Sequence, residues 1–211
     1  MTDLTGNTFL DGPAGQIEAI LKEPATVVTR AAIVCHPHPL FGGTMHNKVV
    51  YRIARAFQDA GFAVLRFNFR GTGRSQGQHD QGRGEQEDLR AAIRFMKQKH
   101  AGAEIWLAGF SFGSDVMLRV ACNDPSIRAI VAAGVPVSKY DFSHVINCAM
   151  PKLFVQGAID EYGSRDDIEQ MVAKLGEPKR LKIVEGADHF FEGHLPELAQ
   201  TVADFIASII Q

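Results

Sequence analysis

Short apolar runs alternate with amphipathic stretches along most of this chain. Runs such as residues 31–35 and 129–135 are apolar throughout, which is typical of strands buried on both faces of a sheet. Between such runs, residues 45–60 and 84–100 carry apolar side chains at the spacing of one helical face. Repeated strand–helix units predict an α/β fold with a mostly parallel sheet covered by helices on both faces.

A hairpin is predicted ahead of this alternation, with strands at 7–10 and 16–21 around a glycine- and proline-containing turn at 11–15. No repeat, low-complexity tract or linker divides the chain, so residues 1–211 are predicted to form one domain. The further strands are predicted at 31–35, 62–69, 104–108, 129–135, 153–157 and 180–184, and the helices at 45–60, 84–100, 114–122, 165–175 and 195–210.

The charge balance excludes two classes of partner. With 22 Lys+Arg against 24 Asp+Glu, the net charge is −2, and no block of like charges offers a footprint for nucleic acid or an anionic membrane. No apolar run reaches the roughly 18 residues of a membrane span, and residues 1–6 lack the features of a secretory signal. We therefore expect a cytoplasmic protein with no nucleic-acid or membrane partner.

The number and spacing of the cysteines also favour a cytoplasmic protein. Cys35, Cys122 and Cys148 are odd in number and widely spaced, and they form neither a C-x-x-C pair nor a zinc-binding pattern. We expect all three to be reduced thiols.

The motif that carries chemistry is Gly109-Phe110-Ser111-Phe112-Gly113, a G-x-S-x-G placed directly between a buried strand and a buried helix. Only small residues fit where such a sharp turn brings backbones together. The turn lifts the Ser111 hydroxyl above the sheet edge, beside the free N–H groups of the helix N-terminus. The context favours a nucleophile over the alternative, a serine that only caps the helix, and the Phe112 N–H is a candidate oxyanion donor.

A serine nucleophile needs a base and an acid that orients it. Asp160 lies three residues beyond the strand at 153–157, and His189 follows the strand at 180–184. Their order after Ser111 is the one expected for such a site. Structural readings remain open, because Asp160 can be a turn residue and a lone loop histidine is usually structural. The rival acids are Glu161, Asp166, Asp167 and Asp188.

The loop at 36–43, His-Pro-His-Pro-Leu-Phe-Gly-Gly, is predicted to supply the second oxyanion donor. Pro37 and Pro39 have no N–H, so the donor is the backbone N–H of His38 or of Leu40, and the sequence does not choose between them. His36 and His38 invite a metal reading, but no third ligand is apparent, so we expect no metal and no cofactor.

Residues 69–75, Phe-Arg-Gly-Thr-Gly-Arg-Ser, raise a dinucleotide-binding alternative. The glycine spacing misses the G-x-G-x-x-G fingerprint and no helix opens directly after it, so a structural turn is favoured. Arg70 and Arg74 either contact an anionic substrate or, more commonly, pair with a nearby carboxylate.

Together, the blocks at 36–43, 68–75, 109–113, 157–160 and 186–189 resemble the α/β-hydrolase superfamily, and specifically small bacterial serine hydrolases related to dienelactone hydrolases. The resemblance spans nearly the whole chain. It implies an eight-stranded sheet in the order 1-2-4-3-5-6-7-8 with strand 2 antiparallel. It also implies Ser111 as nucleophile, His189 as base and Asp160 as orienting acid.

Two departures from the family pattern bear on function. The oxyanion loop reads His36-Pro37 where many lipases have His-Gly, and Ser111 stands where dienelactone hydrolases have cysteine. The variable cap of the family has room here for only a short helix around 140–148, so we expect an open site without a lid.

The sequence therefore predicts a capless serine hydrolase acting on a small carboxylic ester or thioester. Two alternatives stay open: an acyl transferase or peptidase with the same three residues, and a non-catalytic ligand-binding protein on this fold.

Overall fold

The computed structural model describes residues 4–210 as eight strands and five helices that alternate as predicted. Two single turns of 3₁₀-helix lie at Pro39–Phe41 and Ser143–Val145. The strands are β1 (Leu4–Gly12), β2 (Gly15–Glu23), β3 (Arg30–Cys35), β4 (Ala63–Phe67), β5 (Glu104–Phe110), β6 (Ile127–Ala133), β7 (Lys152–Gly157) and β8 (Lys179–Val184). The helices are α1 (Lys48–Asp59), α2 (Arg83–Lys99), α3 (Phe112–Ala121), α4 (Arg165–Ala173) and α5 (Leu195–Ile209).

All eight strands form one sheet in the order β1-β2-β4-β3-β5-β6-β7-β8. Strand β2 is antiparallel to both of its neighbours, and every pair from β3–β4 to β7–β8 is parallel. The predicted mostly parallel α/β sheet, its strand order and its antiparallel strand 2 are confirmed. Because β3, β5, β6, β7 and β8 are parallel, the loops after these strands meet at one edge of the sheet.

Two apolar layers cover the sheet, one on each face. Alternate residues of β3 enter opposite layers, with Ile33 in one and Val34 in the other, because side chains of a strand alternate between faces. Helices α1 and α5 cover the face that buries Trp106 against Phe57 and Phe205. Helices α2, α3 and α4 cover the other face.

Helix α1 begins at Lys48, three residues after its predicted start. The Asn47 carboxamide oxygen accepts hydrogen bonds from the N–H groups of Val49 (2.9 Å) and Val50 (3.3 Å), which fixes the helix start. The short helix predicted around 140–148 is wrong in extent, because that segment contains only the 3₁₀ turn Ser143–Val145. No lid therefore forms between β6 and β7.

One prediction about the cysteines is wrong. Cys122, at the C-terminal end of α3, forms a disulfide with Cys148 in the segment after β6, while Cys35 is a free, buried thiol. The fold brings together two cysteines that are 26 residues apart in the sequence and share no motif. The cytoplasmic location stays a prediction, without the cysteine argument for it.

Within residues 4–210, no helix combines the length and the apolar character that crossing a bilayer requires. The expectation that residues 1–6 carry no signal sequence lies partly outside the described residues, which begin at Leu4.

Candidate active site

Ser111 occupies the turn between β5 and α3 with a backbone φ of 56° and ψ of −125°. A positive φ is unusual for a residue with a side chain, and such strained residues cluster at catalytic and ligand-binding sites. The glycines of the motif are required by close backbone contacts. A Cβ at Gly113 would lie 2.5 Å from the His36 carbonyl oxygen, and one at Gly109 would lie 2.4 Å from the Gly113 carbonyl oxygen.

Ser111, His189 and Asp160 lie in one hydrogen-bonded line. The Ser111 Oγ is 2.9 Å from His189 Nε2, and His189 Nδ1 is 2.8 Å from Asp160 Oδ2. His189 and Asp160 are both buried. With Nδ1 donating to the carboxylate, Nε2 presents its lone pair to the serine hydroxyl, which is the tautomer a general base requires.

Asp160 is held by two further donors. Gln156 Nε2 donates to Asp160 Oδ2 over 2.8 Å, and the Tyr162 N–H donates to Asp160 Oδ1 over 2.8 Å. Gln156 is itself fully buried at the end of β7, where its Oε1 accepts from the Val135 N–H over 2.8 Å. The carboxylate thus has one fixed orientation, with Oδ2 turned to the histidine.

Gln156 is the residue that the sequence reasoning missed. The sequence pattern places it only within the predicted strand 153–157. A polar side chain at the last position but one of an otherwise apolar strand is the signal that marks it.

None of the rival acids pairs with His189 within the described residues. Asp166 and Asp167 lie in the first turn of α4, where Ser164 Oγ donates to Asp167 Oδ2 over 2.6 Å. Asp188 accepts a hydrogen bond from the Glu192 N–H, and Glu161 is exposed.

The two candidate donors in the loop 36–43 differ in their surroundings. The Leu40 N–H donates to His38 Nδ1 over 3.2 Å, and Leu40 does not line the cleft at Ser111. His38 does line this cleft, and its N–H has no acceptor within residues 4–210. The Phe112 N–H, at the first position of α3, also lacks one. Of the two loop positions, His38 is therefore the one with a free N–H beside the serine.

His36 anchors the base of this loop. Its Nδ1 donates to the Pro37 carbonyl over 2.6 Å, and its Nε2 accepts from the Phe69 N–H over 2.9 Å. Both nitrogens of the buried ring are engaged, so His36 serves as a structural link between β3 and the segment after β4. Burial lowers the pKa of His36 to about 4.

This lowered pKa predicts a pH-dependent stability. The unfolded chain binds a proton at His36 near pH 6.5, whereas the folded chain does not until about pH 4. The neutral, buried His36 therefore makes its full contribution to the free energy of unfolding above pH 6.5. This contribution is lost as the pH falls from 6.5 towards 4, because the unfolded chain binds the proton first. We expect His36 to account for a loss of about 2 kcal/mol in the free energy of unfolding between pH 7 and pH 5.

Urea unfolding at pH 7 and pH 5 measures this contribution. The variant His36→Asn is less stable at pH 7 but lacks this part of the pH dependence. The control His46→Asn removes an exposed histidine and keeps the wild-type pH dependence. Equal pH dependence in all three proteins would contradict the assignment.

An open cleft of about 550 Å³ leads to Ser111. Apart from His189, the aromatic residues that line it are His38, Phe41, Phe112, Tyr140, Tyr162 and Phe190. Segment 136–151 contributes Pro136, Lys139 and Tyr140 to the lining, whereas segment 70–83 contributes none.

The two arginines of segment 70–83 that were candidates for substrate contact instead interact with other parts of the protein. Arg70 pairs with the buried Asp88, with Nη2 and Oδ1 2.7 Å apart, and the Arg74 guanidinium lies over the Phe9 ring at 4.7 Å. Neither arginine lines the cleft. Arg70 therefore pairs with a nearby carboxylate, which was one of the two predicted alternatives. It does not line the cleft, where it could contact an anionic substrate.

Comparison with known sequences now identifies the family. A family model described as an alpha/beta hydrolase domain matches residues 32–210, most of the chain. The chain is an α/β-hydrolase. A relative in Rickettsia prowazekii (strain Madrid E), described as an uncharacterized protein, is 37% identical to this α/β-hydrolase over 210 residues, covering 95% of the chain and 88% of the relative.

Solved structures of similar sequence place the α/β-hydrolase among serine hydrolases. An α/β serine hydrolase homologue from Coxiella burnetii is 38% identical, with a TM-score of 0.89, over 94% of this chain and 96% of its own. An α/β serine hydrolase without a lid from Xanthomonas campestris is 35% identical, with a TM-score of 0.90, over 97% and 94%. The predicted family resemblance and the capless fold are confirmed.

Proposed function

We propose that this α/β-hydrolase cleaves small carboxylic esters or thioesters through an acyl-enzyme on Ser111. The observation that carries the proposal is the unbroken line Ser111 Oγ–His189–Asp160, at 2.9 and 2.8 Å, opening into an uncovered cleft. Ser111 is the nucleophile, His189 the general base and Asp160 the acid that orients the imidazole.

In the first half-reaction, Ser111 Oγ attacks the acyl carbon as its proton passes to His189 Nε2. Negative charge then develops on the former carbonyl oxygen. The N–H groups of Phe112 and His38 are the donors assigned to it, because both are free beside the serine. The bond to the leaving oxygen or sulfur breaks, and His189 returns the proton to that atom.

In the second half-reaction, water takes the place of the leaving group. His189 Nε2 accepts a proton from the water, whose oxygen attacks the acyl carbon of the acyl-enzyme. Collapse of the second tetrahedral intermediate releases the carboxylic acid, and the proton on His189 restores the Ser111 hydroxyl. No cofactor or metal takes part in either half.

The size and character of the cleft support a small partner. A volume of about 550 Å³ lies in the range of small-molecule sites, and its aromatic walls suit an apolar acyl group. The absence of a lid between β6 and β7 argues against a long-chain lipase activated at an interface.

A panel of p-nitrophenyl esters of increasing acyl length, with matching thioesters and anilides, tests this function. We expect turnover of short-chain and aromatic acyl esters and thioesters, a decline in kcat/KM at long chain lengths, and little cleavage of anilides. Preferential cleavage of the anilides would favour a peptidase, and transfer to added amines in place of hydrolysis would favour an acyl transferase.

A further inference from the structure

A second cleft of about 570 Å³ adjoins the one at Ser111. The two clefts share the lining residues Gly42, Asn47 and Phe190, so they adjoin each other at these residues. We call the cleft that contains Ser111 the inner cleft and the second one the outer cleft. Nothing in the proposed hydrolysis of a small ester uses the outer cleft.

The outer cleft differs in chemistry from the inner cleft. The residues that line it include Thr44, His46, Lys48 and Glu192, which carry a hydroxyl, an imidazole, an ammonium and a carboxylate. His46 and Glu192 form hydrogen bonds through their backbone N–H groups, and the side chains of His46, Lys48 and Glu192 have no partner within residues 4–210. The lining residues include both donors and acceptors, and the positive charge of Lys48 is balanced by the negative charge of Glu192. The cleft therefore favours a neutral hydroxylated ligand over an anion or a cation.

Asn47 adds a donor at the junction of the two clefts. Its Oδ1 is occupied by the Val49 and Val50 N–H groups at the start of α1. Asn47 lines both clefts, and within residues 4–210 its amide protons have no acceptor, so they are available to a ligand.

The position of the leaving group relative to His189 indicates which half of the substrate the outer cleft would bind. The leaving oxygen receives its proton from His189 Nε2, so the alcohol half of an ester must extend from the serine on the histidine side. Phe190 follows His189 directly, and the same loop continues through Glu192 and Gly193 along the outer cleft. The alcohol half is therefore directed towards Phe190 and the outer cleft that adjoins it.

We propose that the outer cleft is a binding site for the alcohol half of the substrate, and that this alcohol is a neutral polyol, such as a glycerol or sugar unit. The acyl half occupies the aromatic inner cleft. The substrate class is thus an ester that joins an apolar acid to a polyhydroxylated alcohol. This inference rests on the proposed esterase function and deepens it.

Two benzoate esters of equal length test the proposal. Propyl benzoate and 2,3-dihydroxypropyl benzoate differ by two hydroxyl groups on the alcohol. We expect kcat/KM for the dihydroxypropyl ester to be about tenfold higher, mainly through a lower KM, because two or three new hydrogen bonds form in the outer cleft.

Variants of outer-cleft residues test whether the preference for the dihydroxypropyl ester arises in this cleft. Glu192→Ala and His46→Ala, each a change at an exposed position, are expected to bring the ratio of the two kcat/KM values to within about threefold of one. The control Glu169→Ala removes an exposed carboxylate from α4, which lines neither cleft, and keeps the tenfold ratio.

The outcomes separate the two proposals. If folded wild-type protein hydrolyses both esters at equal kcat/KM, the polyol site is wrong and the esterase function stands. If the preference is present but survives in both Glu192→Ala and His46→Ala, the outer cleft is not its source. If neither ester is hydrolysed while p-nitrophenyl acetate is, the polyol site is wrong and the esterase function stands. If none of the three is hydrolysed by folded protein, the esterase function fails, and the polyol site fails with it.

Discussion

Replacing Ser111 by alanine is expected to lower kcat for p-nitrophenyl acetate by at least about 10⁴-fold. The substitution removes only the hydroxyl group, whose oxygen, Ser111 Oγ, lies 2.9 Å from His189 Nε2. Alanine keeps the Cβ of serine, so the change adds no new conflict with the backbone φ of 56°. We therefore expect the melting temperature to stay within a few degrees of the wild type and KM to change little.

The control for this variant is Ser126→Ala, which removes an exposed hydroxyl beside Asp124 that does not line the cleft. It should retain full activity. An S111A protein that is folded and keeps more than about a tenth of the wild-type kcat would show that Ser111 is not the nucleophile.

Replacing Asp160 by asparagine is expected to lower kcat by about 10³- to 10⁴-fold. Oδ2 accepts from both His189 Nδ1 and Gln156 Nε2, and Oδ1 accepts from the Tyr162 N–H. An asparagine amide placed at Oδ2 would face two donors, and one placed at Oδ1 would face the Tyr162 N–H. An amide nitrogen at Oδ2 sets donor against donor at His189 and displaces the imidazole or changes its tautomer, whereas one at Oδ1 loses the hydrogen bond from the Tyr162 N–H that orients the group.

The matched control for this change is Asp188→Asn. Asp188 is the carboxylate next to His189 in sequence, but it accepts from the Glu192 N–H instead of the histidine. We expect its kcat to fall by less than about threefold. A larger loss in D188N than in D160N, measured on proteins with similar melting temperatures, would assign the orienting acid to Asp188.

The fold was predictable because each strand carried its signal locally. Runs such as residues 31–35 are buried on both faces and are apolar throughout, so β3 could be placed within one residue of its observed bounds. The positions of Ser111, Asp160 and His189 were predictable for a related reason. Each comes just past the end of a parallel strand, and parallel strands end at one edge of the sheet.

The parts that could not be predicted depend on contacts between distant residues. The Cys122–Cys148 disulfide requires the path of the chain after β6, which no local pattern encodes. The contact of Gln156 with Asp160 depends on how the loop after β7 folds back over its strand end. The choice between His38 and Leu40 depends on the His38 ring, which occupies the Leu40 N–H.

The most direct test of the account is covalent labelling of the folded protein with a fluorophosphonate, followed by intact mass and peptide mapping. The account predicts one adduct per chain, located on Ser111, with loss of esterase activity in proportion to labelling. It also predicts that S111A takes up no label. Labelling at another residue, or a folded wild-type protein that does not react while still hydrolysing esters, would contradict it.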